Sequence, residues 1–151
     1  QHMRKMKVGK VTFTEAYKAV HEYRQKFPEK AVTFYAQNYP AMGWAVFMAG
    51  GSCPVIPCTD KAFLKDAAVM EVEETNTDEY KKMVKSDIGS IIYSKSGTEI
   101  PVQLSSGKYA LKYIHPASGK IETINKSLKI NGLYKLKVPD KKEGIYWFHK
   151  L

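Results

Sequence analysis

The spacing of apolar residues changes near residue 70, and this change constrains the fold more than any other feature of the chain. Before it, Ala16, Tyr17, Val20, Tyr23 and Phe27 recur at intervals of three and four residues, as on one face of a helix. After it, apolar and polar residues alternate, as they do in strands with one buried face. The 151 residues suffice for about one domain. We therefore predict an α+β fold, with helices first and an antiparallel β-sandwich second.

The first helix carries its own start and stop signals. Thr12 and Glu15 have the spacing of a capping box, in which each side chain bonds to the backbone of the other residue. Phe27-Pro28 ends the periodic run, because proline disfavours helical backbone at the residue before it. The pattern predicts one amphipathic helix of about 13–16 residues. Residues 31–37, which are short, β-branched and aromatic, fit either a buried strand or the approach to a second helix.

A second predicted helix, residues 41–49, is apolar on every side. Asn38-Tyr39-Pro40 has the character of a cap followed by a first-turn proline, and Gly50-Gly51 ends the run. Such a helix must be surrounded by other elements, and neither the first helix nor the predicted sheet supplies enough cover. We therefore expect part of its surface to face water, a second copy of the chain, or the sheet after rearrangement. This predicts self-association through residues 40–51, with a symmetric dimer as the closed form.

Six to eight antiparallel strands are predicted in the second half. Turn residues separate the alternating segments at spacings near the 8–12 residues that are typical of sandwiches. Residues 76–86 fit either a short capped helix or a further strand, and Asp87-Ile88-Gly89 before a strongly β run favours the strand. The predicted domains are a helical segment, residues 1–68, and a β-sandwich, residues 69–151. The alternating segments are residues 89–94, 100–104, 109–113, 124–130, 134–138 and 145–148.

The net charge of +9 raises the question of a nucleic-acid partner. The excess lies in residues 91–151, which hold 11 basic and 4 acidic residues. These lysines alternate with apolar residues, as on solvated strand faces and blunted sheet edges. No arginine follows Arg24, although nucleic-acid sites favour arginine for bidentate contacts. We predict no nucleic-acid partner; the alternating lysines are Lys108, Lys112, Lys129, Lys135 and Lys137.

Metal, cofactor and membrane sites are not predicted either. Cys53 and Cys58 lack the further nitrogen or sulfur ligands that zinc needs, so they are interpreted as two thiols or as a disulfide. Phosphate-binding glycine loops and nucleophile elbows are missing from the sequence. The longest apolar run falls short of the ~20 residues of a membrane span, and no signal peptide begins the sequence.

Two segments resemble bacterial apiosidase-like glycoside hydrolases. Residues 35–51, Tyr-Ala-Gln-Asn-Tyr-Pro-Ala-Met-Gly-Trp-Ala-Val-Phe-Met-Ala-Gly-Gly, resemble the last helix region of these barrels, which ends in Ala-Gly-Ala or Ala-Gly-Gly. Residues 89–94, residues 107–119 and the final Tyr146-Trp147-Phe148 resemble the small β-sandwich after the barrel, often called a collagen-binding domain. Its pattern, an aromatic residue, two residues, Pro, one residue, Ser or Thr, then Gly, runs here from Tyr113 to Gly119. His115 stands where Asp is more usual.

The resemblance implies that residues 1–68 end a (β/α)₈, TIM-like barrel and that the parent protein is a secreted, periplasmic or extracellular glycoside hydrolase. Hydrolysis needs two carboxylates about 5–10 Å apart, and no such pair is evident here, so they would lie upstream. The acidic residues between 71 and 79 are interpreted as solvated charge. We predict a non-catalytic C-terminal accessory portion that meets carbohydrate through its parent protein. The alternative is an independent glycan- or protein-binding β-sandwich module.

Candidate substrate-binding residues are Gln37, Asn38 and Tyr39. They form a polar junction of strand and helix, and barrel enzymes contact substrates from loops at the C-terminal ends of strands. An amide pair flanked by tyrosines suits sugar hydroxyls and sugar faces. Asn38 as a plain helix cap is the alternative interpretation.

The aromatic residues of the predicted sandwich have two interpretations. Tyr134, Tyr146 and Phe148 would form a sugar-stacking platform if exposed, but aromatic residues in a sandwich mainly pack its core. Trp147 is predicted to lie in the sandwich core, with its N–H donating to a carbonyl. His115, before Pro116, is predicted to be a turn residue.

Overall fold

A computed structural model describes residues 11–34 and 41–151, which form helices followed by strands. This confirms the predicted α+β fold and its order. The helices are α1 (Phe13–Lys26), α2 (Ala41–Met48) and α3 (Lys61–Val69). The strands are β1 (Glu71–Glu73), β2 (Tyr80–Lys85), β3 (Gly89–Ser94), β4 (Glu99–Gln103), β5 (Gly107–Ile114), β6 (Ile121–Ile130), β7 (Leu133–Lys137) and β8 (Gly144–Lys150).

The strands form a six-stranded and a two-stranded antiparallel sheet. The larger sheet has the order β1-β2-β3-β8-β5-β6, and the smaller pairs β4 with β7. The last strand, β8, lies between β3 and β5, so the end of the chain completes the middle of the sheet. Residues 80–85 pair with residues 89–94 as a hairpin, which confirms the strand interpretation of that segment.

The larger sheet packs against a hydrophobic core on each face. One face meets the helices, and we call this the helix-facing core; the other meets β4 and β7, and we call this the sandwich core. Because β8 is covered on both faces, Ile145, Tyr146, Trp147 and Phe148 are all buried. The alternation had predicted a strand buried on one face only. Full burial of a central strand between two layers removes that difference between its faces.

Helix α1 begins and ends where the sequence predicts. The backbone N–H of Glu15 donates to Oγ1 of Thr12 (3.2 Å), and the backbone N–H of Thr12 donates to Oε2 of Glu15 (2.9 Å), which forms the predicted capping box. Phe27 follows the last helical residue, and its N–H donates to the Tyr23 carbonyl. The helix buries Ala16, Tyr17 and Val20 against the core.

The expectation that α2 is only partly covered is wrong. All its residues except Ala41 and Gly43 are buried, with Trp44 and Met48 fully inaccessible. The ring of Phe63, from α3, packs against Trp44 and Phe47 with centroids 6.2 and 5.6 Å apart. Gly43 lies so close to the loop at residues 50–60 that a Cβ would meet the Val55 carbonyl oxygen at 1.7 Å.

The missing cover for α2 thus comes from the 50–60 loop and α3, which the apolar pattern did not predict. Self-association through residues 40–51 stays a prediction, but the side chains expected to drive it lie inside the chain. Residues 31–34 form neither helix nor strand, and the Val32 carbonyl accepts from the Ser52 N–H at 2.7 Å. The rest of the segment discussed as a strand, residues 35–37, lies outside the described residues.

Candidate functional site

The predicted substrate-binding residues Gln37, Asn38 and Tyr39 lie outside the part of the chain that the structure describes. The residues that precede them help to form a groove of about 580 Å³ between α1 and residues 30–34. This groove is mainly apolar, with charged side chains at its edge. It is lined by Ala19, Val20, Glu22, Tyr23, Phe27, Lys30, Ala31, Val32, Thr33 and Phe34.

Two exposed aromatic rings stand at this groove. Tyr23 and Phe27 stack with centroids 6.1 Å apart, and about half of the Tyr23 surface is accessible. The ammonium groups of Lys26 and Lys30 lie 5.7 and 5.3 Å from the Phe27 centroid, within cation–π range. Arg24 fixes the following loop through hydrogen bonds from its guanidinium to the Pro28 and Lys30 carbonyls. The groove therefore presents flat aromatic faces together with hydrogen-bond donors.

A second cleft, of about 530 Å³, opens between α1, α3 and β1. Its floor is apolar and includes Phe47, Met70 and Val72, and its rim includes His21 and Gln25. Beside that rim, Oε1 of Glu74 lies 2.6 Å from Nε2 of His21 and accepts a hydrogen bond of 2.7 Å from the Gln25 amide. These contacts join the segment after β1 to α1.

The acidic residues between 71 and 79 largely make ion pairs that join local elements. Glu73 pairs with Lys82, and Asp78 contacts Lys18 at 3.6 Å and Lys81 at 3.4 Å. Although desolvation acts to raise it, the pKa of Asp78 is lowered because the ammonium groups of Lys18 and Lys81 favour the carboxylate. Each of these carboxylates therefore faces a basic group.

A buried carboxylate links α3 to the central strand. Oδ2 of Asp66 accepts a hydrogen bond of 2.9 Å from Nε1 of Trp147 and lies 2.7 Å from Nδ1 of His149. Trp147 is buried as predicted, but its place in the sandwich core and its carbonyl partner were predicted wrongly. It faces the helices, and a carboxylate accepts from its N–H. Both parts of this prediction failed because α3 was not predicted. This helix packs against Trp147, and its Asp66 side chain supplies the acceptor.

The turn that carries the family resemblance joins the sheet to the helical segment. Gly119 has φ +72°, and its N–H donates to the His115 carbonyl at 2.8 Å, so the predicted turn is confirmed. The Trp44 indole donates to the Pro116 carbonyl at 2.8 Å. A Cβ on Gly119 would meet the Pro57 carbonyl oxygen at 2.5 Å. No local pattern in the sequence indicated that this turn contacts Trp44 and Pro57.

His115 itself lies against an acidic side chain. Its Nε2 is 2.9 Å from Oε1 of Glu122, and Lys142 lies 3.7 Å from the other carboxylate oxygen. The contact with His115, together with the ammonium groups of Lys142 and Lys120, lowers the pKa of Glu122. This contact holds the turn against β6.

The favoured interpretation of the sandwich aromatic residues, core packing, is confirmed, and the alternative of a sugar-stacking platform is wrong. Tyr146 and Phe148 are buried under the smaller sheet, and Tyr134 is half-buried with its ring edge-on to Phe148 at 5.7 Å. Desolvation raises the pKa of Tyr146 to about 12, and its hydroxyl donates to the Lys142 carbonyl at 2.8 Å. These rings pack the core because β8 lies between two layers.

The two cysteines carry free thiols. Cys53 is exposed, whereas Cys58 is buried, and desolvation raises the pKa of the Cys58 thiol. Across residues 11–34 and 41–151, no helix is both long and apolar enough to cross a bilayer. The same residues contain no group of three or more His, Cys, Asp or Glu side chains placed to hold a metal ion.

Comparison with known proteins gives a partial family match and a distant structural likeness. Residues 1–70 match a family described as "Domain of unknown function (DUF6298)". No curated protein matches the chain. Among solved structures, a chain titled "Glycoside hydrolase" aligns with a TM-score of 0.40 and 16% identity over 55% of this chain. The aligned region spans 20% of that structure's own length.

Proposed function

We propose that this chain is the non-catalytic C-terminal accessory portion of a carbohydrate-active, glycoside-hydrolase-like protein. The observation that carries the proposal is where the accessible apolar surface lies. Both clefts described above are lined mainly by the helical segment. Of the eight exposed large apolar residues among those the structure describes, five lie in this segment, Tyr23, Phe27, Val55, Leu64 and Val69, and three lie in the sheet part, Ile124, Leu133 and Leu151. Apolar clefts of this kind suit contact with another part of a longer protein or with a sugar face.

Buried contacts fix the orientation of the sheet relative to this helical segment. Phe63 packs edge-on against Trp147 at 5.4 Å, and both side chains are fully buried. The Trp44–Pro116 and Asp66–Trp147 hydrogen bonds join the same two parts. Burial of a large apolar side chain contributes about 1.5–3 kcal/mol, so these rings form a strong joint. The sheet is therefore carried as a rigid appendage of the helical segment.

In this proposal the parent protein supplies the chemistry. Residues 1–68 end its (β/α)₈ barrel, residues 69–151 form the β-sandwich, and the paired carboxylates lie upstream. In the same proposal, Gln37, Asn38 and Tyr39 contact sugar through their amide and aromatic side chains. The resemblance to apiosidase-like hydrolases supports a periplasmic or extracellular location.

A second candidate function is an independent glycan- or protein-binding module. The burial of α2 within the chain favours it, because a chain that covers its own apolar helix needs no further domain to fold. The two candidates differ in what precedes residue 1. The accessory portion requires an upstream barrel, whereas the module does not.

Reading the coding frame upstream of residue 1 tests the proposal directly. We expect an in-frame segment long enough for the rest of a barrel, about 200 residues or more, with Asp or Glu at two strand ends. A start codon immediately before residue 1 would favour the independent module instead.

Activity of the chain alone is a second test. Incubated with a panel of aryl glycosides and plant polysaccharides, the purified chain is expected to give no turnover. Turnover that disappears in Glu73→Gln, Glu74→Gln or Asp78→Asn would contradict the proposal, because these residues would then act as catalytic carboxylates rather than as ion-pair partners.

A further inference from the structure

Two lysines lie directly opposite each other at the β5–β6 end of the larger sheet. Lys108 and Lys129 are paired in the antiparallel register, and both are exposed. Like charges that face each other across strands destabilise a sheet. The sequence alone had shown these lysines as isolated residues on alternating strands. The register places the two ammonium-bearing side chains opposite each other. Their repulsion lowers the stability of the sheet, and both side chains are exposed, so burial does not offset it.

Two further basic residues lie on the same face. Lys112 is four residues from Lys108 along β5, and its ammonium lies 4.6 Å from the Trp147 ring centroid. Ala110, between the two lysines, pairs with His149 of β8. Residues two apart in a strand point to the same side, so these side chains surround the small Ala110. We call Lys108, Lys112, Lys129 and His149 the basic face.

The basic face has little acidic compensation. Within the described ranges, no carboxylate pairs with Lys108, Lys112 or Lys129, whereas His149 contacts the buried Asp66. The lysines of β7 differ. Lys135 lies 3.6 Å from Glu99, and Lys137 is paired with Glu99 in the register of the smaller sheet. The lysines of the two sheets therefore differ in their electrostatic surroundings.

The dimensions and chemistry of the basic face fit an extended polyanion. Lys108 and Lys112 are about 13 Å apart along the strand, and Lys129 lies on the next strand, about 4.8 Å away. Lysine ammonium groups act as point charges on flexible stems, and they suit spaced single carboxylates. Nucleic acid fits less well, because Trp147 beneath the face is fully buried and offers no surface for base stacking.

We propose that the basic face binds an acidic polysaccharide through the carboxylates of its uronate residues. This inference rests on the proposed function and gives that function a ligand class. The lysine ammonium groups contact successive carboxylates of one glycan chain, and the glycan charge relieves the repulsion between Lys108 and Lys129.

The test is binding of the full chain to polygalacturonate, compared with fully methyl-esterified polygalacturonate and with a short DNA duplex. The variant is Lys108→Gln with Lys129→Gln, and the matched control is Lys135→Gln with Lys137→Gln, which removes the same charge from the smaller sheet. Two exposed ion pairs correspond to about 10-fold in affinity, so we expect that loss for the first variant and less than about 2-fold for the control. Binding is also expected to be weaker at about 0.15 M salt than at about 0.01 M salt, because the Debye length falls from about 30 Å to about 8 Å.

The melting temperature provides a check that does not depend on the ligand. Removal of the opposed charges in Lys108→Gln with Lys129→Gln should leave it unchanged or raise it. Equal losses of affinity in the two double variants would overturn the proposal, since net charge alone would explain them. Tighter binding of DNA than of polygalacturonate would overturn it in favour of a nucleic-acid partner. Equal binding of the methyl ester, unaffected by either variant, would reject the basic face while leaving the proposed accessory function intact.

Discussion

The two cores of this protein are built in different ways, although they share one sheet. The sandwich core is made of strand residues that alternate along β4, β5, β7 and β8. The helix-facing core is assembled from α1, α2, α3 and several strands, and buried polar contacts join its parts. A core made of alternating strands can be predicted from local patterns. A core made of distant segments depends on contacts that no local pattern encodes.

The largest expected effect compares two adjacent residues that face opposite cores. Trp147→Ala and Phe148→Ala each remove a fully buried ring and should each destabilise the fold by roughly 3–5 kcal/mol. Trp147→Ala also leaves the buried Asp66 carboxylate without its indole donor, which adds about 1–3 kcal/mol. Urea denaturation of both variants measures the difference. Equal losses would show that the Asp66 contact contributes nothing to the helix-facing core.

The Asp66 contact can also be tested from its other side. Asp66→Ala leaves the buried N–H of Trp147 without an acceptor, and we expect a loss of about 1–3 kcal/mol. Asp60→Ala is the control just before the same helix. Asp60 caps α3 by accepting a hydrogen bond of 2.8 Å from the Phe63 N–H, and a lost cap costs about 1 kcal/mol. If Asp66→Ala is as stable as the wild-type chain, the contact is not a joint between α3 and β8.

Two glycines with nearly the same φ test the junction between the sheet and the 50–60 loop. Gly119 has φ +72° and Gly97 has φ +71°, so alanine is strained at both positions, by about 1 kcal/mol. At Gly119 the new Cβ would also meet the Pro57 carbonyl oxygen at 2.5 Å, whereas at Gly97 it meets only the flexible Asp140 side chain at 3.1 Å. Gly119→Ala should therefore lower the melting temperature clearly more than Gly97→Ala. Equal decreases in melting temperature would mean that the turn at Gly119 is not in close contact with the 50–60 loop.

Both cores are also expected to lose stability at high pH. Desolvation raises the pKa of Tyr17 in the helix-facing core and of Tyr146 in the sandwich core to about 12, against 10.0 for a free tyrosine. The unfolded chain loses these protons first, so each tyrosine stabilises the fold fully below pH 10, and that contribution is lost as the pH rises towards 12. Tyr17→Phe and Tyr146→Phe should each flatten the fall in stability over this window. Tyr23→Phe, at an exposed position, serves as the control.

Local signals predicted the sheet and α1 well, and long-range contacts explain what they missed. The capping box fixed the start of α1, and Asp87-Ile88-Gly89 correctly favoured the β2–β3 hairpin. Helix α3 was not predicted, because Phe63 and Asp66 are its buried residues and they give almost no periodicity. Asp60 as an N-cap was the available signal.

The missing helix also explains the errors at the candidate site. Without α3, Trp147 had no carboxylate partner and α2 had too little cover, so a carbonyl acceptor and an exposed apolar face were expected instead. Tyr146 and Phe148 were considered for a surface platform because alternation alone does not reveal that a second layer covers a strand. The groove at Tyr23 and Phe27 was missed since helical periodicity assigned both rings to the core, whereas they lie at the edge of the helix contact.

The central claim is that the helical segment and the sheet form one rigid unit, and equilibrium urea denaturation followed by two probes tests it most directly. Both tryptophans, Trp44 and Trp147, lie in the helix-facing core, so their fluorescence reports on the joint, while the β-sheet component of the infrared amide I band reports on the strands. We predict that the two transitions coincide at the same urea concentration. A fluorescence transition that is complete while the strand signal persists would contradict the claim, because the sheet would then stand without the helices.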